Sequence, residues 1–449
     1  MAGNIRLIER GAAPVLVACL LVLGAAPPPA AAQCDSDELL ALDRLAFDQF
    51  GQSVSISGDV AVVGAWGGGG IVADSGSAYI FRFNGVSWAQ EAKLTASDGA
   101  VSDLFGVSVS ISGDVAVVGA YADDDNGSLS GSAYVFVKPV GGWVDMTQTA
   151  KLTASDGAVS DEFGRSVSIS GDVAVVGAAK DDDNGLSSGS AYAFVKPPGG
   201  WVDMTQTAKL TASDGAASDF FGASVSISDE VAVIGAVQGD GNVANSGSAY
   251  VFVKPPGGWV NMTQSAKLTA SDGAASDFFG GSVSLSGDLA VVTAVGDNAP
   301  FLDSGSAYVF VKPVGGWVTM TETSTHTAWD GLPSDSFGIS VSISGDLVLV
   351  GDYADDDNGS NSGSAYVYDL SGVDCNLNGL SDACDIVLGM SCDFNANLIP
   401  DECELAATAG DISGPGGAPD GCVDAFDLGA LLAAWCSVAG GNPCGTCSP

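Results

Sequence analysis

From Gln52 to Leu370 the chain alternates short apolar runs with clusters of Gly, Asp, Asn and Pro, and no helical period competes with them. In the stretch that begins at Phe163, Ser166 to Ser170 (SVSIS) alternates at period two, as a half-buried strand does. Asp172 to Ala178 (DVAVVGA) and Gly189 to Lys196 (GSAYAFVK) are β-branched and aromatic runs of strand length. Trp201 to Ala212 (WVDMTQTAKLTA) reads as a fourth strand. Turn-forming residues separate the four. Val, Ile, Ala, Ser and Gly fill both phases of these strands, so both faces of the sheet are predicted to be covered.

The same sentence is written six times. A Phe-Gly pair occurs at Phe50, Phe105, Phe163, Phe221, Phe279 and Phe337, with spacings of 55, 58, 58, 58 and 58. A fixed period of this size decides the fold. Four-stranded units repeated about an axis make a β-propeller, in which each blade is covered by its neighbours. The large groups come once per unit: the Phe of Phe-Gly, Tyr-x-Phe in the third strand, and a Trp opening the fourth. The sixth unit ends at Tyr366–Leu370 without a fourth strand. Glu38-Leu-Leu-Ala-Leu-Asp43 precedes Phe50 as Lys267-Leu-Thr-Ala-Ser-Asp272 precedes Phe279, so the N-terminal segment is the candidate outer strand of the last blade. Such a swap leaves fewer open sheet edges. The expectation is an all-β, six-bladed β-propeller closed by an N-terminal strand, followed by a small disulfide-rich calcium-loop region and a short C-terminal helix.

The repeated FG-x-S-V-S-I-S-G-D-V-A-V-V-G-A resembles the FG-GAP repeat of integrin-α-type β-propellers, over roughly residues 38–370. The resemblance implies a ligand-binding or adhesive propeller. Two departures stand out. Integrin propellers have seven blades, against six units here. Their calcium loops lie in the first hairpin, which is cut here to a turn such as Ser112-Gly113-Asp114, so those calcium sites do not carry over.

Charge narrows the function classes. With 54 acidic and 14 basic side chains among 449 residues, the formal charge is −40. That excludes nucleic acid as a partner, since phosphate binding needs basic side chains, and it disfavours anionic membranes. It favours cations, Ca2+ first. Residues 1–32 read as a signal peptide: Arg6 and Arg10, an apolar run from Val15 to Ala26, then Ala30-Ala31-Ala32 as cleavage site. The run is too short to span a bilayer, and no later stretch qualifies. The mature chain is therefore expected to be secreted or at the cell surface, where disulfides persist. Cleavage would leave nine cysteines, eight of them beyond residue 370. A Cys34–Cys375 bond competes with pairing inside the C-terminal region, and the odd number leaves one cysteine free or intermolecular.

Residues 33–371 form the expected propeller, 372–405 a calcium-loop region and 406–449 a Cys-rich tail. Asp374, Asn376, Asn378, Asp382 and Asp385 stand at positions 1, 3, 5, 9 and 12 of a loop with Gly379 at 6 and the Leu380 carbonyl at 7. This spacing supplies the hard oxygens calcium needs. Asp393, Asn395, Asn397, Asp401 and Glu404 repeat it, with Leu398 in place of the glycine. The two loops resemble thrombospondin type 3 repeats, stapled by Cys375, Cys384, Cys392 and Cys403. Asp411, Asp420, Asp424 and Asp427, followed by LGALLAAW, resemble half of a dockerin calcium motif, interrupted by GPGGAP. This tail is a candidate anchor to a cell surface.

Within the repeats, acids collect in the loop between strands two and three (Asp123–Gly127, Asp181–Gly185, Asp355–Gly359) and in the connection between blades (Ser155 to Asp161). An up-and-down meander places both on one rim. A cation-bridged binding face and merely solvated Asx turns are both open there. The loop lacks EF-hand spacing: with Gly127 at position 6, position 1 falls on Ala122. His326, the one histidine, replaces Leu94, Leu152, Leu210 and Leu268 of other units, which makes a catalytic triad a poor reading. Three classes remain: a calcium-dependent binding or adhesion protein for an extracellular protein or polysaccharide, a polysaccharide-acting hydrolase or lyase, and a structural surface component.

Overall fold

The computed structural model describes residues 39–298, 301–356 and 362–370. The expected signal peptide, the cysteines, the calcium loops, the dockerin-like motif and the C-terminal helix lie outside these residues. Within them the chain is all-β and forms a six-bladed β-propeller with no helix.

Blade 3 shows the pattern. Its inner strand, Phe163–Ser170, pairs antiparallel with Val173–Ala178, which pairs with Ser190–Val195, which pairs with Ala208–Thr211. A bulge follows the Phe-Gly pair, between Phe163 and Ser166. The expected fourth strand is in fact two pieces. Met204–Thr205 pairs in parallel with the outer strand Ala150–Thr153 of blade 2, and only Ala208–Thr211 joins its own blade. The intervening Gln206-Thr207 jogs the chain, and each of the first four blades is clipped at its outer edge by the next unit. Continuous alternation hid this break, because both pieces keep the same phase.

Each seam between blades is a separate hydrophobic core. Between blades 2 and 3, Val117, Val135 and Leu152 meet Phe163, Val176, Tyr192, Phe194 and Trp201, all buried. Phe163 stands edge-on to Tyr192 and Phe194, with ring centroids 5.4 and 5.9 Å apart. Edge-on geometry sets the positive ring edge against the negative face. The seam also demands glycine. A Cβ on Gly119 would lie 1.9 Å from the carbonyl oxygen of Gly164, and Gly164 itself has φ +90°. Ser108 Oγ donates to that same carbonyl at 2.8 Å, and the Ile169 amide donates to Ser110 Oγ at 3.1 Å. The amide-to-serine bond recurs at each seam from blades 1 and 2 to blades 5 and 6, and the serine-to-carbonyl bond at all of these but the last, where Thr293 replaces the glycine.

The two terminal faces differ. Val54 and Ile56 of blade 1 are 68% and 63% exposed, whereas their counterparts Val109 and Ile111 are buried. Leu349 of blade 6 is 47% exposed where Val117 is fully covered. Blade 6 has three strands, Ser340–Ser344, Leu347–Asp352 and Ser364–Asp369, and no strand of the described residues pairs with its outer edge. An open depression of about 510 Å³ beside it is lined by Ser340, Gly351 and Gly363 among others. Those residues correspond to Ser108, Gly119 and Gly131, which receive Phe163-Gly164 in the seam between blades 2 and 3.

Candidate functional site

The loop between strands two and three and the connection to the next blade do lie together. The amide of Ser160 donates to Ser128 O at 2.8 Å, Ser218 to Leu186 O at 2.8 Å and Ser334 to Leu302 O at 3.0 Å. One rim of the sheets therefore gathers the acidic segments of successive units.

Each connection is pinned by a buried aspartate. Asp161 accepts the Ala158 amide at 2.7 Å, which closes the turn in which Ser160 has φ 70°. Burial pushes the Asp161 carboxyl up to about 6, against the Ala158 hydrogen bond and helped by the charges of Asp181 and Asp182. Asp103 is raised to about 6 in the same way.

The acidic loops of blades 2 and 3 are filled from within. Asp123, 3% exposed, accepts from Tyr134 Oη at 2.6 Å, Ser132 Oγ at 3.2 Å and the Asp125 amide at 3.1 Å. Lys151 from the outer strand places its Nζ 2.7 Å from Asp98 and 3.1 Å from Asp123, and also bonds Asp125. In blade 3, Lys209 meets Asp156 at 2.7 Å and Asp181 at 3.1 Å, and bonds Asp183. Burial would lower the Lys151 ammonium, but the hydrogen bonds it donates to Asp125 and Asp98 outweigh it and push it up. The carboxylate triads Asp98-Asp123-Asp125 and Asp156-Asp181-Asp183 have the spacing of a cation site. The cation there is a lysine of the chain itself. In blades 2 and 3 an internal ammonium thus sits among the carboxylates that the sequence left open between a cation-bridged face and solvated turns. The lysines were missed because their reach depends on strand register; their recurrence three residues after Gln148, Gln206 and Gln264 offered no direct sign of it.

The other units vary the theme. Lys93 bonds Asp43 and Gly69 O, and Lys267 bonds Asp214 and Asp240 O. Asp43 thus does for blade 1 what Asp98 does for blade 2, as the alignment of the N-terminal segment implied. Blade 5 has Thr325 at the lysine position, and Asp272 and Asp297 share the Tyr308 hydroxyl at 3.1 and 2.8 Å. On the opposite rim, the short first hairpin is paired with a lysine as well: Lys138 with Asp114, Lys196 with Asp172 and Lys312 with Asp288. Exposed apolar side chains punctuate the acidic rim: Ile71, Leu129, Leu186, Val243 and Leu302 in the loops, Val101 and Val159 in the connections, and Trp329 at 73%.

His326 pairs across from Ala307 and lies 4.9 Å from the Tyr368 ring. Burial lowers its pKa. Its Nε2 is 3.1 Å from Ser324 Oγ, and among the described residues no carboxylate hydrogen-bonds the ring, so no triad forms. No helix of the described residues is long and apolar enough to cross a membrane.

The repeats, the propeller and the buried Phe-Gly seams define a class, the Phe-Gly-type β-propellers. The FG-GAP repeat family model matches residues 35–81, 88–136, 146–194, 204–252, 262–310 and 320–368, and the chain belongs to that family. No curated protein matches it. Among solved structures, it is similar to a protein from Bacteroides fragilis NCTC 9343 described as a candidate 6-phosphogluconolactonase. That likeness has 13% identity and a TM-score of 0.47, covering 71% of this chain and 80% of the other.

Proposed function

We propose that this chain is a secreted, calcium-binding β-propeller that recognises an extracellular protein or glycan through its acidic rim, with the C-terminal region as attachment. An FG-GAP propeller suits a ligand-binding or a structural role. The observation favouring binding is the row of exposed aliphatic side chains from Ile71 to Leu302, interleaved with aspartates on the rim. Turns that serve only to reverse the chain have no need of exposed Leu or Val at each loop, and clustered apolar surface marks interaction sites. Protein and glycan arrays probed with the full chain, with and without chelator, test this. Leu186→Asp is expected to cut binding at least about tenfold, as the loss of one apolar anchor does, with an unchanged melting temperature. A second reading, repeats that only pack, is favoured by the lysines that satisfy the loops of blades 2 and 3. An array without a ligand would leave that one standing. Release of reducing ends from the glycans would instead point to a hydrolase.

Calcium is assigned to the loops at Asp374–Asp385 and Asp393–Glu404. Asp374→Ala with Asp393→Ala is expected to remove two ions per chain in equilibrium dialysis. The propeller is further proposed to close on itself. Phe50-Gly51 would enter the depression lined by Gly351 and Gly363, and Glu38–Asp43 would supply the missing outer strand beside Ser364–Asp369.

A further inference from the structure

One unit breaks the near-identity of the repeats at the inner margin of the acidic rim, where the connection enters the innermost strand. The residue before each Phe-Gly pair is left-handed in all six units: Gln49, Leu104, Glu162, Phe220, Phe278 and Ser336 have φ between 54° and 69°. That backbone favours Gly or Asn, and none of the six is either. The turn therefore does not choose these side chains. Nor does the frame need a charge: the amides of Lys180, Gln238 and Ala354 donate alike, at 3.2 Å, to the carbonyls of Asp161, Asp219 and Asp335. Yet blade 3 alone puts three charges here, Glu162, Arg165 and Lys180. Blade 2 has Leu104, Val107 and Ala122 at those positions, and blade 4 has Phe220, Ala223 and Gln238.

Two cations share one carboxylate in this trio. Arg165 Nη1 lies 2.9 Å from Glu162 Oε2, and Lys180 Nζ lies 2.6 Å from Glu162 Oε1. Every other ion-paired lysine or arginine of the described residues has at least one carboxylate to itself, and Lys151 and Lys209 have three each. The trio is left with one positive charge in excess, on a chain whose formal charge is −40. Glu162 is buried, while both cationic side chains are nearly half exposed. Among the described residues no other side chain takes a hydrogen bond from the Arg165 fork. The guanidinium lies 5.5 Å from the centre of the half-buried Tyr121 ring of blade 2, a cation–π contact that steadies it. Trp66, at the Tyr121 position, and Phe220 and Phe278, at the Glu162 position, are half-buried rings on the same margin of other blades.

We propose that Arg165 and Lys180 form an anion site that takes the carboxylate of an acidic sugar chain, a uronate polymer, with the half-buried rings of the margin as platforms for its sugar faces. The site is part of the rim proposed above as the recognition face, and it rests on that reading. A guanidinium fork meets a carboxylate with two parallel hydrogen bonds, and an ammonium adds a point charge beside it. Rings spaced a blade apart offer apolar faces to an extended chain rather than to a single small ion. Repulsion from more distant aspartates is screened over about 10 Å at 0.1 M salt, so the local excess of positive charge decides at the site.

Calorimetric binding of oligogalacturonate to the full chain tests it, against the fully methyl-esterified form of the same oligomer. Chelator is present throughout, so that calcium does not bridge the oligomer to the aspartates. Arg165→Ala and Lys180→Gln carry the residues that blade 4 has there, Ala223 and Gln238. The acid is expected to bind and the ester not, and each variant to weaken binding at least about tenfold, as the loss of one charged hydrogen-bond partner does. Adding Glu162→Gln to both, with Gln49 of blade 1 as precedent, leaves no buried carboxylate unpaired and should abolish binding in a chain that still unfolds cooperatively. Equal binding of acid and ester, binding of neither, or wild-type affinity in both single variants overturns the site. Tighter binding of poly-glutamate of the same length overturns the sugar and assigns a protein carboxylate. A ligand found on the arrays and lost in Leu186→Asp, with no oligogalacturonate bound by the wild type, would remove this site and leave the rim reading standing. Oligogalacturonate binding that Leu186→Asp leaves untouched would do the reverse.

Discussion

Lys151 and Asp161 each decide whether a loop of the acidic rim holds together. Lys151→Met keeps the aliphatic stem and removes the charge that three carboxylates share. The pair with Asp123 is largely buried, while Asp98 and Asp125 are part-exposed. The expected cost falls between the surface and buried limits, at about 2 kcal/mol in urea unfolding. Calcium should recover part of it, because the emptied triad then offers three carboxylates to a metal. A variant with full stability and no calcium response would refute the lysine's role. Asp161 and Asp103 act in the other direction. Their folded pKa values, about 6, lie above the ordinary carboxylate value. Their contribution is complete at acidic pH and is lost as pH rises through 6. Melting temperature should therefore rise between pH 7.5 and about pH 5. Below the ordinary carboxyl value of 3.8, Asp156 and Asp214, held low by Lys209 and Lys267 against burial, protonate and the gain reverses. Asp103→Asn with Asp161→Asn keeps the acceptor for Ala100 and Ala158 and should flatten the upper limb.

A blade is an element only with its neighbour. Val117 and Val135 have no core of their own until Phe163 and Tyr192 cover them. Gly164→Ala would push a Cβ to 2.3 Å from Ser132 O at a φ of +90°. The expected penalty exceeds about 2 kcal/mol, since a β-carbon there meets backbone as well as backbone strain. Gly171→Ala, with open space around it, serves as the control, and equal melting temperatures for the two would contradict the close approach. The three strands of Phe163–Val195 could be read directly, because alternation and turn residues are local properties. The split at Gln206-Thr207 could not, because Met204 and Leu210 keep one phase while bonding to different blades. Asp43 was legible by alignment with Asp272. The ammonium–carboxylate cluster at Lys209 was not, because its members come from three segments that only register brings together.

At the scale of the molecule the open question is the seam between the last blade and the first. The Ile111 amide donates to Ser55 Oγ and the Gly113 amide to Ser57 Oγ, both across a seam. Closure predicts that the Ile56 and Gly58 amides find Ser342 and Ser344 in the same way. Their hydrogen exchange should then be as slow as that of Ile111 and Gly113, and Ser342→Ala should speed up Ile56 alone. Fast exchange at Ile56 in a monomer would mean that blades 1 and 6 stay apart. Slow exchange only at high protein concentration would mean that a second copy fills the gap.

The parallel clip, Met204–Thr205 on Leu152–Thr153, also sets how the chain bears load. Tension along the backbone passes through such clips in series, each only two residues long. Units should peel away one after another, each releasing about 200 Å of slack for its 58 residues. Single-molecule pulling would record this as an evenly spaced staircase, and a single abrupt rupture would speak against it. A chain built this way dissipates a sudden pull without coming apart all at once.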